Sequence, residues 1–221
     1  MALSTRVLST VALAMLAGGS IAHAQREDSF RWYLGAQGGV FIFETPSQTS
    51  TAIPSAGIQA LIIAKRTGLL LSVDEGIGSD ETSVFSDPSS ATGTRSVVFD
   101  DIRRYSAVLM AFPVSGKVEP YFGIGLGLMH VVRPDVPGAF ASPTEAADAV
   151  DEAEDRGSTG FGTGVAGLQF WLTRGVRGFV QYQITTSPSD SKLFTSSSHT
   201  IGGGLRFSLG SAREGPRGGG Y

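Results

Sequence analysis

Eight stretches of this chain alternate between hydrophobic and small or polar residues with a period of two: Arg31–Phe43, Ser55–Ala64, Leu69–Gly78, Asp101–Pro113, Val118–Val132, Gly160–Leu172, Val176–Ile184 and His199–Leu209. Successive side chains of a strand point to opposite faces, so this period predicts eight β-strands. In the first, Trp32, Leu34, Ala36, Gly38, Val40 and Ile42 share one face, and Arg31, Tyr33, Gly35, Gln37, Gly39 and Phe41 the other. The fifth sets Phe122, Ile124, Leu126 and Leu128 against Tyr121, Gly123, Gly125, Gly127 and Met129, and the last sets Ile201, Leu205, Phe207 and Leu209 against Thr200, Gly202, Gly204, Arg206 and Ser208.

Between the strands, long and short connections alternate. KRTG, SGK and TRG are tight; ETPSQTSTAIP, the Ser/Asp/Thr-rich stretch from Ser79 to Asp100, Arg133–Thr159 and TTSPSDSKLFTSSS are long. An antiparallel meander places every tight turn at one end and every long loop at the other. The second faces carry Gly, Gln, Ser and few charges, where a water-facing wall would carry Lys and Glu. A narrow polar interior with lipid outside meets that pattern, and inward glycines leave room for large neighbours. The predicted fold class is all-β: an eight-stranded antiparallel up-and-down transmembrane β-barrel.

The N-terminus changes the picture of location. Arg6, the apolar run Val7–Ala17 and Ala22-His23-Ala24 form the three parts of a secretory signal peptide, with cleavage expected after Ala24. The run is about 11 residues, short of the roughly 20 that a spanning helix needs. The expected organisation is therefore 1–24 signal peptide, 25–209 barrel and 210–221 a Gly/Arg-rich tail. Of 221 residues 41% are hydrophobic and only 17% charged, which argues against disorder. A net charge of -3 carries no basic excess for nucleic acid. With no cysteine, the chain has no disulfides and no thiolate chemistry.

EPYFGIGLGL (Glu119 to Leu128), the closing IGGGLRFSL (Ile201 to Leu209) and FVQYQI (Phe179 to Ile184) are the motifs through which the chain resembles the small OmpA-like outer-membrane barrels, over about Phe30 to Leu209. That resemblance implies the outer membrane of a Gram-negative-type bacterium, contact with its lipids, delivery by the barrel-insertion machinery and a monomer. The closing strand is similar to the C-terminal insertion signal of such barrels.

Candidate chemistry is sparse. Asp74 or Glu75 with Arg104, and Arg206 with Gln37 and Gln181, are expected to form a lumen network, because a buried charge is costly unless paired and hydrogen-bonded. Its two readings are a structural plug and a gate or proton path. Ser198-His199 invites a nucleophile and base, as in lipid A acyl-modifying barrels, but adjacent strand residues face opposite ways. His130 and His199 are expected at strand ends near the membrane interface. Ser142, Pro143 and Glu145 form a capping-box signature for a helix running to Arg156, whose acids match no EF-hand spacing. No cofactor, metal ligand set or catalytic residue is expected. The function read from these features is structural or surface interaction with an extracellular partner through the loops, without catalysis. Its rivals are a small channel, the acyl-modifying enzyme and a soluble binder of apolar ligands.

Overall fold

A computed structural model describes residues 30–88, 90, 92–186 and 192–212; the expected signal peptide at 1–24 and residues 213–221 of the tail lie outside them. The elements run β1 (Phe30–Phe43), β2 (Thr51–Ala64), β3 (Thr67–Ser86), β4 (Thr94–Ala111), β5 (Val118–Val132), α1 (Pro143–Gly157), β6 (Thr159–Trp171), β7 (Val176–Thr185) and β8 (His199–Ala212). Each strand pairs antiparallel with its sequence neighbour, and β8 closes on β1, so the sheet is a barrel without free edges. Gln37, for example, stands opposite Gly57 on one side and Gly204 on the other. β8 continues past Leu209, pairing Gly210, Ser211 and Ala212 with Trp32, Arg31 and Phe30, so the wall includes the first residues assigned above to the tail.

The stretch read as a loop from Ser79 to Asp100 is largely strand. β3 and β4 extend beyond their other partners as a hairpin in which Phe85 pairs Arg95 and Ser83 pairs Val97. A register shift between Ile77 and Glu81 reverses which residues face inward: Asp74 and Gly76 below it, Ser83 and Phe85 above. Polar residues such as Ser86, Thr94 and Ser96, which suggest a loop, lie on the water-facing side of this hairpin, while Phe85, Val97 and Phe99 are buried. Both hairpin edges are covered, which removes the hazard of open strand edges. Asp135 bridges Val98 on one, and Thr45 and Ser47 donate to the Thr82 carbonyl on the other while Gln48 accepts from its N–H.

Around the wall the apolar face points outward. Ile124 is 75%, Leu126 73% and Leu109 67% exposed, in company with Ile58, Val180 and Ile201. The interior is layered. At the turn end, Tyr33, Leu61, Ile63, Leu70, Met110, Phe112 and Tyr121 form an apolar cluster. At the loop end a second cluster joins Phe41, Phe43, Ile53, Phe99, Ile102, Val131 and Phe161 to Ala149 and Ala153 of α1 and to Leu193 and Phe194 of the last loop. Phe194 meets the rings of Phe43 and Phe99 edge-on at 5.6 and 6.1 Å. Inward glycines make room for such side chains: a Cβ at Gly167 would lie 2.7 Å from the Tyr121 hydroxyl.

Candidate functional site

A polar network runs through the lumen from mid-barrel to the turn end, alongside the turn-end apolar cluster, and is held by one connected set of hydrogen bonds. Asp74 accepts from the Gln37 amide and, at 3.0 Å, from Ser72, whose hydroxyl meets that of Ser106 at 2.8 Å. Gln37 Oε1 in turn accepts from Gln59 and Gln181, both at 3.2 Å, and Tyr121 donates to Gln181 at 3.1 Å. From Gln59 the chain of bonds passes to Arg206, then through Gln169 at 3.0 Å to Glu119, and ends on Arg177, which donates to Glu119 at 2.7 Å. Aromatic faces hold the cations as well. The guanidinium carbon of Arg177 lies 3.8 Å from the Trp171 ring centre, and that of Arg206 4.1 Å from Phe179.

Asp74, Gln37, Gln181 and Arg206 therefore share one network, but Arg104 and Glu75 do not join it. Arg104 stands opposite Asp74 in register, yet it donates to Thr200 at 2.7 Å and stacks 4.3 Å over Phe41. Glu75 corrects the expectation more sharply. It is one residue out of phase with Ser72 and Asp74, faces outward, and forms an ion pair with Arg103 at 3.0 Å on the outer wall. Sequence reasoning missed Gln59, Glu119, Gln169 and Arg177, although parity held the signal: Arg177 shares a face with Gln181, and Glu119 with Tyr121. Removing the acceptor of a buried charge strands the charge, so Thr200→Val should cost about 1–3 kcal/mol in urea unfolding in detergent.

The loop end is a folded structure in its own right. Ser142 caps α1 by accepting from the Glu145 N–H at 3.2 Å, and Glu145 reaches back to the Ala141 N–H at 2.8 Å. Arg95 ties the hairpin to this helix through Asp87 and, at 3.0 Å, Glu145. The Asp87 hydrogen bond raises its pKa against the opposing pull of burial, with help from Glu145. The last loop is sewn in by Ser83 donating to the Leu193 carbonyl at 3.0 Å, the Leu193 N–H to Arg156 at 3.2 Å and the Thr195 N–H to Glu44 at 3.1 Å. A pocket of about 410 Å³ opens between hairpin and helix, with Phe85, Pro88 and Ala149 beside Asp87, Glu145, Asp148 and Glu152.

Each of the two described histidines is hydrogen-bonded to one hydroxyl side chain. His130 shares a 2.7 Å hydrogen bond with Ser158, and His199 one of 2.6 Å with the Tyr182 hydroxyl. Ser198 is buried and bonded to Thr185 at 2.6 Å, so its hydroxyl and the His199 ring point to opposite sides of the wall. Among the described residues no group of three His, Cys, Asp or Glu side chains could hold a metal ion.

Comparison with solved structures fits this architecture. Neisserial surface protein A matches with a TM-score of 0.53 at 14% identity, over 80% of this chain and 96% of that one. The chain has the fold of the small outer-membrane barrels. The N-terminal barrel domain of Pseudomonas aeruginosa OprF also matches, with a TM-score of 0.45 at 12% identity over 80% and 97% of the two chains. So does Ail of Yersinia pestis, solved with the heparin analogue sucrose octasulfate, with a TM-score of 0.40 at 12% identity over 82% and 100%. No protein-family model matches the sequence, and no curated protein does.

Proposed function

We propose that this chain is a non-catalytic protein of a Gram-negative-type outer membrane, in which a closed barrel anchors a preformed loop surface for an extracellular partner. One observation carries the reading: an apolar cluster closes the lumen at the loop end, and its residues knit hairpin, helix and last loop into a single surface. In a channel, water would have to pass Phe41, Phe43, Phe99, Phe161 and Phe194; here those rings are packed against one another. The surface they support is acidic and indented, which suits recognition. Delivery follows the signal peptide at 1–24, its cleavage after Ala24 and the barrel-insertion machinery; the barrel works as a monomer among outer-membrane lipids.

Two measurements test this reading. Planar bilayers containing the refolded protein should show no stepwise conductance, and regular steps would replace the anchor reading with the channel. On intact cells, a membrane-impermeant maleimide should label Ser90→Cys in the hairpin tip and leave Gly116→Cys in a tight turn untouched. The reverse pattern would turn the barrel over.

A further inference from the structure

The tight-turn end carries a charge pattern that neither the lumen nor the loop surface uses. Lys65 and Arg66 lie between β2 and β3, Lys117 between β4 and β5, and Arg174 between β6 and β7; these turns contain no Asp or Glu. Backbone bonds join these turns around a common rim. Arg66 donates to the Pro113 carbonyl at 3.2 Å, and the Phe112 N–H returns a bond to the Arg66 carbonyl at 2.8 Å, joining the first turn to the second. The Trp171 N–H donates to the Lys117 carbonyl at 3.1 Å, joining the second to the third, and Ser208 of β8 binds Gly175 at 2.8 Å. Among the described residues, the outward carboxylate of Glu75 is already paired with Arg103, and Glu119, close to the turns, points into the lumen.

Height in the bilayer follows from the neighbours. Trp32, Val118 and Leu172 are large, exposed and apolar beside these turns. Indoles settle at the boundary between hydrocarbon and headgroups, and Lys and Arg next to such a belt extend their heads into the phosphate layer. We infer that the turn rim is a docking surface for the phosphate headgroups of anionic phospholipids, with Lys65, Arg66, Lys117 and Arg174 as the recognising cations. The inference rests on the reading of the chain as a membrane barrel and adds a lipid class to it. Charge complementarity selects the class: each basic group near an anionic membrane surface contributes about 1 kcal/mol, and the three turns bring four cations and no carboxylate.

The test uses the full chain refolded into phosphatidylcholine vesicles that contain trace spin-labelled phosphatidylglycerol or spin-labelled phosphatidylcholine. At low salt the labelled phosphatidylglycerol should be immobilised at the barrel with an association constant about fivefold that of phosphatidylcholine. The ratio should fall towards one above about 0.5 M salt as the charges are screened. Lys117→Gln with Arg174→Gln, which leaves the Arg66 bond to Pro113 intact, should lower it; further Lys65→Gln and Arg66→Gln should abolish it, and the four Lys/Arg exchanges should preserve it. Insertion is read separately from heat-modifiable gel migration. A chain that fails to insert in any vesicle overturns the membrane reading and this inference with it. A chain that inserts normally but shows equal immobilisation of both lipids, or a selectivity that survives all four Gln substitutions, overturns this inference alone.

Discussion

Glu119→Gln will destabilise the barrel by about 3–5 kcal/mol, the usual cost of stranding a buried charge. Arg177 is 1% exposed and its Nη1 donates to Glu119 at 2.7 Å, while its Nε and Nη2 have no acceptor. The carboxylate is thus the main group that balances the guanidinium, and a neutral amide in its place leaves that charge to the faces of Trp171 and Tyr33. Arg177→Met alone removes the cation but leaves Glu119 with only Gln169 to answer it. The double variant should therefore cost much less than the sum of the singles. Urea unfolding in detergent gives the four corners of this cycle. Additivity to within about 0.5 kcal/mol would show two independent sites and would dissolve the network at its turn-end terminus.

Arg104 and Asp74 offer the contrasting case. Opposite signs on paired strands suggest an ion pair from sequence, and the backbone register does align them. Yet Asp74 is already served by Gln37 and Ser72, and Arg104 by Thr200 and Phe41. Register fixes where two Cα atoms stand; the neighbours across a narrow lumen decide where long side chains end. Those neighbours come from strands far away in sequence: Thr200 lies on β8, while Arg104 lies on β4.

The same distinction explains what could be read beforehand and what could not. Alternation and turn spacing are local, so strand number, closure and the inward parity of Asp74, Gln37 and Gln181 were legible. Parity also held the signal against Glu75, which falls on the face of Val73 and Ile77 and not on that of Ser72, although the expectation drawn from sequence includes it as a partner for Arg104. The upper hairpin was hidden by its own chemistry. Its outward side is polar because it leaves the membrane, and the register shift near Ile77 breaks the period where it would have been followed upward. The plug at the loop end had no local signal at all: Leu193 and Phe194 sit in a polar segment and are buried only because Phe43, Phe99 and α1 surround them.

Leu126→Arg is the substitution that tests the solvent of the outer wall. The side chain is 73% exposed between Ala107 of β4 and Gly162 of β6, with Ile124 and Leu128 in line on its own strand. Water around that band would make arginine harmless or helpful there. Hydrocarbon around it makes the charge costly, by about 2–4 kcal/mol near the bilayer midplane. The control belongs outside the membrane, at Val114 in a tight turn, which is 53% exposed and should accept arginine with little change. Gly125→Ser, the inward comparison that the alternation suggests as a mild one, is unsuitable, because a Cβ there would lie 2.7 Å from the Val108 Cα and strain the neighbouring strand. Refolding titrations into lipid vesicles measure both variants. A cost at Leu126 and none at Val114 is the expected result; equal tolerance at the two positions would mean that the apolar belt does not face lipid, and the transmembrane reading would fall.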